Sequence, residues 1–173
     1  HDLGAITGEF QAGEVKCRPI SLFSRHLKSF SMSNTWKPSV TVAAIVPRQH
    51  GDRLEFLMIE ETTPDGVRLN QAAGHLDPNE SLEQAVIRET MEETAHEFVP
   101  EALVGTYMSK FISPNSGKEV TYLRFAFCGK VIAQHDRPLD HGILRALWMT
   151  YEEILACQDM HRSPLILKCL QDY

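Results

Sequence analysis

Three observations predict an α/β layered domain with a mixed sheet. Short β-branched or alternating runs recur on both sides of one long helical segment. That segment, from about Ser81 to Thr94, carries an apolar stripe in its first half. Two further helical segments close the chain. Strands that flank a helix, with more helix at the end, pack as layers. At 173 residues the chain is long enough for one such domain with its own core.

The elements are expected in the following order. Residues 1–35 show no period and read as an N-terminal extension or arm, with Met32 as a candidate start. Lys16, Arg18, Arg25, His26 and Lys28 are diluted there by Asp2, Glu9 and Glu14, which speaks against a nucleic-acid arm. Residues 36–173 form the domain. Val40–Val46 is a β-branched strand, and Leu54–Glu60 alternates into a second. Pro64-Asp65-Gly66 turns the chain, and Val67–Ala72 returns as a third extended segment. Val104–Ile112 and Glu119–Val131 are strands joined across Pro114-Asn115-Ser116-Gly117. Leu147 and Trp148 mark a short last strand. Thr150 and Glu153 make a capping box that opens a helix through Cys157. Ser163-Pro164 opens a C-terminal helix to about Asp172.

Composition narrows the function. The net charge of −6 argues against a general nucleic-acid binder. An anionic substrate would then need metal ions and a few local cations. No run of eighteen apolar residues and no signal-peptide pattern occurs, so no membrane partner is expected. Cys17, Cys128, Cys157 and Cys169 show neither CxxC nor metal-ligand spacing and read as reduced thiols of a cytoplasmic protein.

The chemistry concentrates on residues 74–94. Ser81 and Gln84 form a capping box, so the helix begins near Ser81. At about 100° per residue, Leu82, Ala85, Val86, Glu89, Glu92 and Glu93 share one side. The apolar stripe thus continues as three carboxylates. Ile87, Met91 and Thr94 make a second, fairly apolar side, so the helix is expected to be covered on two sides. Carboxylates one turn apart repel, and burial makes this worse. Either some stay protonated or a hard cation sits among them; a solvated acidic face is the bland alternative. Oxygen ligands at this density suit Mg²⁺ or Mn²⁺. Arg88 keeps its proton and is expected to pair with Glu92 or Glu80, orienting a ligand.

Gly74, Glu80, Arg88, Glu89, Glu92 and Glu93 stand at fixed spacing: Gly, five residues, Glu, seven residues, Arg-Glu, two residues, Glu-Glu. By composition such a match is expected on the order of once in ten million start points. The pattern resembles the Nudix box of the Nudix hydrolases. Thr90, Ala95 and His96 depart from it, where the family prefers an aliphatic residue, Gly and an aliphatic residue. Ala95 is expected to avoid the φ > 0 that a Gly would take there, so that the helix ends differently or runs on.

The resemblance implies an α/β/α sandwich over residues 36–173. It also implies Mg²⁺-dependent cleavage of phosphoanhydride bonds, with the Gly74 carbonyl joining Glu89, Glu92 and Glu93 as metal ligands. Glu93 is the first choice for the proton acceptor. Glu119, Asp136 and Asp140 read as surface acids that could reach the cleft. Three segments, Leu69–Leu76, Leu123-Arg124-Phe125 and Arg162-Ser163-Pro164-Leu165, look like the NudJ phosphatase subgroup. Ala72 and Leu69 depart from it, standing where Pro and Trp are expected. That likeness implies nucleoside di- and triphosphates, or hydroxymethylpyrimidine and thiamine diphosphates, as substrates, with release of phosphate. Asn70, Gln71 and Arg124 are the expected substrate contacts. For Arg124, mid-strand among apolar residues, a structural ion pair is an equal expectation. His75 reads as a surface residue. Trp36, Tyr107 and Tyr122 could stack on a base, with packing as the default. A homodimer, a pyrophosphate-releasing MutT-type hydrolase, a non-catalytic nucleotide-binding domain and a plain interaction module remain open at this point.

Overall fold

The structure is a computed structural model that describes residues 35–112 and 117–173. The expected arm lies outside the described residues, as does most of the connection expected at 114–117. Trp36–Tyr173 form one compact unit.

One sheet runs in the order β5-β1-β7-β6, from Ala73–His75, Ser39–Ile45, Glu119–Gln134 and His96–Ile112. It is mixed: β1 pairs parallel with β7, and the other pairs are antiparallel. A second sheet is built on β3 (Arg53–Thr63), which pairs with β2 (Pro47–His50), β4 (Gly66–Asn70) and β8 (Ile143–Thr150). The expected mixed sheet is present, and a second, antiparallel sheet stands beside it. Helix α1 (Leu82–Thr94) covers one face, packing Ala85 and Val86 against Val42, Ala44, Leu57, Phe98 and Phe127. On the other face α2 (Tyr151–Ala156) and α3 (Leu165–Asp172) pack Ile154, Ile166 and Leu170 on Ile45, Met58 and Ala126. Alternating residues of β1 serve the two layers in turn, as a strand buried on both faces requires. No helix of the described residues is long and apolar enough to cross a membrane.

Both expected capping boxes are present, Ser81 with Gln84 and Thr150 with Glu153. Several expectations are corrected. The segment expected at 67–72 is strand β4 only as far as Asn70, and a separate β5 follows it from Ala73. β2 was not anticipated; its sequence, Pro-Arg-Gln-His, lacks strand formers, and pairing with β3 holds it extended. β6 starts at His96 rather than Val104, because His96–Pro100 pairs with the end of β7. Ile87 is exposed. Thr94 is buried as expected, and Thr90 joins it; their hydroxyls donate to the carbonyls of Thr90 and Val86 respectively. Ala95 does adopt the left-handed conformation, φ 59°, and its N–H closes the helix on the Met91 carbonyl. Tertiary pairing of the residues that follow outweighs the roughly 1 kcal/mol local cost of that conformation for Ala.

Candidate active site

The Gly74–Ser81 loop and α1 bring the expected acids together around Arg88. Its Nε and Nη2 form a fork on Glu80, at 3.0 and 2.7 Å. Its Nη1 donates to Glu89 Oε1 at 2.7 Å and to Glu92 Oε2 at 3.0 Å. Nη2 also donates to the His75 carbonyl at 3.0 Å, tying helix to loop. The two expected pairings of Arg88 are thus both made. This crowd of carboxylates holds the guanidinium even more firmly charged, with Glu80 the largest contributor.

Gly74 lies directly against Glu89: a Cβ built there would overlap the carboxyl group. Glu93 Oε2 accepts the Ala73 N–H at 2.8 Å. The carboxyl of Glu93 is pushed up to about 8, chiefly by burial and then by the charges of Glu89, Glu61 and Asp140. Burial also raises Glu89, helped by Glu92 and Asp140 and opposed by Arg88. Asp140, expected as a surface acid, is anchored here through its N–H to the Glu92 carbonyl at 3.0 Å. Glu119 pairs with Lys110, and Asp136 lies in the exposed connection after β7.

Among the described residues no three acidic, His or Cys side chains already converge on one metal position. Arg88 and the Ala73 N–H hold the carboxylates in their present directions. The donor set still fits a hard divalent cation. Glu89, Glu92 and Glu93 offer only oxygens, and two of them are raised by burial and mutual charge, which a cation would relieve.

The expected substrate residues fall nearby with unequal freedom. The Asn70 side chain is committed, donating to Glu61 Oε1 at 3.0 Å and accepting the Gln71 N–H at 3.0 Å. Gln71 is buried with neither side-chain amide atom partnered. Arg124 is 8% exposed, and its Nε and Nη1 have no hydrogen-bond partner. Burial lowers its pKa, while the Cys169 thiol beside it and the charges of Glu93 and Glu61 favour its charged form. Among the described residues no ion pair within 4 Å holds it, so the structural pair, one of its two expected roles, is not found there. Trp36 is exposed, and Tyr107 packs in the core beneath α3.

Glu61 escaped the sequence reading. It stands at a register shift of β3, bonds Asn70, and lies 3.9 Å from Arg162 Nε. The available signal was the pair Glu60-Glu61, two adjacent acids that an alternating strand cannot both point outward. The aromatic contacts of His75 with Tyr122 and of Tyr122 with Phe111 were missed as well.

Comparison with known proteins decides the family, since the NUDIX domain model matches residues 37–169. The chain belongs to the Nudix family. It is 34% identical to the phosphatase NudJ of Escherichia coli K12 over 139 residues, 80% of this chain and 84% of that protein. A NUDIX hydrolase structure from Nitrosomonas europaea matches with a TM-score of 0.69 and 47% identity, over 79% of this chain and 88% of that one. The NUDIX domain of Shewanella oneidensis NrtR, solved with ADP ribose, matches with a TM-score of 0.63 over 79% and 86%. Its 17% identity makes that likeness one of fold alone. The protein is a Nudix hydrolase, an enzyme of pyrophosphate bonds, and Nudix hydrolases generally use divalent metal ions.

Proposed function

We propose that this Nudix hydrolase is Mg²⁺-dependent and releases inorganic phosphate from nucleoside di- and triphosphates or small diphosphate metabolites. The observation that carries the reading is the Glu89–Glu92–Glu93 set beside Gly74, the first two held by Arg88 and the third by the Ala73 N–H, in a chain similar to a phosphatase. Glu89, Glu92 and Glu93, with the Gly74 carbonyl, would hold Mg²⁺; Mn²⁺ suits the same oxygens. The ion supplies charge neutralisation for the phosphoryl oxygens and makes water more acidic. Arg88 positions two of the carboxylates and the loop. Glu93, held by the Ala73 N–H beside the other two acids, would take the proton of the attacking water. Asn70, Gln71 and Arg124 line the substrate side, Asn70 through its hold on Glu61 and on the segment before Gly74. A cytoplasmic location belongs to the same proposal.

Bond choice depends on which phosphorus lies in line with the attacking water. For a diphosphate the balance is nucleoside diphosphate plus water giving nucleoside monophosphate plus phosphate. Hydrolysis in ¹⁸O-labelled water with Mg²⁺ tests this. Label in released inorganic phosphate, from diphosphates as well as triphosphates, is the expected result. Pyrophosphate as the co-product from a triphosphate would overturn it in favour of the MutT-type reaction.

A further inference from the structure

One arginine near the site is fixed in its backbone and unspent in its side chain. After α2 the chain brings His161 beside Leu69, where the two residues bridge in parallel, and the Arg162 N–H donates to the Leu69 carbonyl at 2.9 Å. His161 Nε2 lies 2.9 Å from the Ile154 carbonyl, and Ser163 Oγ accepts the Leu165 N–H at the start of α3. Arg162 is therefore tied on both sides and stands beside the Leu69–Asn70 end of β4. Ala73, whose N–H holds Glu93, follows Asn70 by three positions, at most about 10 Å of chain. Yet the Arg162 side chain is 45% exposed. Its one ionic partner among the described residues is Glu61 Oε1 at 3.9 Å, too far for a hydrogen bond. That same oxygen already accepts from Asn70. The charge of Glu61 also acts on Glu93 and on Arg124, so Arg162 borders the charge field of the site.

Resting on the hydrolytic reading above, we infer that Arg162 grips the terminal phosphate and so selects it for attack, with Glu61 as the positioning residue that keeps the guanidinium at hand. A guanidinium offers a planar fork of donors. That fork suits a terminal phosphate, with three free oxygens and the higher charge, better than an inner one. A terminal group held by both Arg162 and the metal-binding oxygens would present its own phosphorus to the water that Glu93 deprotonates. The water oxygen then bonds to the terminal phosphorus. The anhydride P–O bond to that phosphorus breaks, and the shortened nucleotide leaves with the electron pair, so orthophosphate is the other product. Glu61 competes with the phosphate for Arg162. Its loose contact restrains the side chain without a strong bond that substrate would have to break.

The test uses the full chain with Mg²⁺, with ATP and ADP as substrates and methylenediphosphonate as an uncleavable diphosphate. The parent should release orthophosphate from both nucleotides. Arg162→Met should raise KM for ADP about tenfold and weaken methylenediphosphonate binding in calorimetry by the same factor. Pyrophosphate should also appear from ATP, because nothing then favours the terminal group. Arg162→Lys should recover part of the affinity and little of the bond choice, since an ammonium is a point charge without a fork. Glu61→Gln, whose amide oxygen can still accept from Asn70, should act the other way, with KM lower and methylenediphosphonate tighter by about threefold. Opposite shifts are not what a merely structural ion pair gives, since its loss from either side acts alike. An unchanged KM and product ratio in Arg162→Met, or weaker binding in both Arg162→Met and Glu61→Gln, would overturn the inference. Pyrophosphate from the parent, or no hydrolysis at all, would overturn the hydrolytic reading instead, and calorimetry of the three variants would still decide whether Arg162 grips the phosphate. Should Arg162→Met fail to fold, Arg162→Lys and Glu61→Gln carry the test.

Discussion

Gly74 is pressed against the carboxyl group of Glu89 so closely that a methyl group on Gly74 would occupy the same space. The backbone of Gly74 needs no positive φ, so the glycine serves approach rather than turning. Gly74→Ala should therefore leave the fold intact and drive Glu89 away from the loop. Turnover at saturating Mg²⁺ is expected to fall by about a hundredfold, the scale of a 1 Å misplacement in a site. Melting curves alongside kinetics check this; full activity would show that Glu89 is free to move.

Glu93→Gln keeps shape, and the amide oxygen can still accept from Ala73. Loss of the charge should cut turnover more than about tenfold at saturating Mg²⁺. Activity within about twofold of the parent would remove Glu93 from the chemistry.

The same substitution has a pH signature without metal. The folded Glu93 carboxyl is pushed up to about 8, against an ordinary 4.5. Below about 4.5 both folded and unfolded chains hold the proton, and the group has no effect on stability. Between the two values the folded chain keeps a proton that the unfolded chain has released, so stability falls as pH rises through this window. Glu93→Gln removes that loss. In chelator, it should melt above the parent at pH 8, by on the order of 1–3 kcal/mol, with the gap closing toward pH 4.5. A gap constant with pH would contradict the raised carboxyl.

Arg88→Lys retains the charge but cannot make the fork on Glu80 while also reaching Glu89, Glu92 and the His75 carbonyl. The carboxylates would lose their common anchor. Metal titrations should show apparent Mg²⁺ affinity weakened about 10- to 100-fold. An unchanged titration would mean that Arg88 only braces the loop.

The unit Trp36–Tyr173 carries its own two-layered core. A chain beginning at Met32 should then melt within about 2 °C of the full protein and hydrolyse the same substrates. Insoluble or inactive material would make residues 1–31 part of the folded unit.

The spacing from Gly74 to Glu93 specified the loop, the helix, its capping box and the gathering of acids around Arg88. These depend on contacts within about twenty residues, where helical periodicity and side-chain pairing act directly. The α/β class was legible for the same reason: strand and helix periods are local. Three matters were decided only by the tertiary structure. Ala95 takes a left-handed cap because His96–Pro100 pairs with the far end of β7, a partner some thirty residues away. Glu61 and Asp140 join the charge field of Glu93 from β3 and from the connection after β7, segments whose spacing to α1 follows no rule. Arg124 stands beside Thr41 and Tyr107, with no ion pair among the described residues, because strand order and register chose its neighbours. A sequence shows that a charge stands in an apolar strand; which strands flank it, and whether they bring it a partner, is settled by pairing between distant segments.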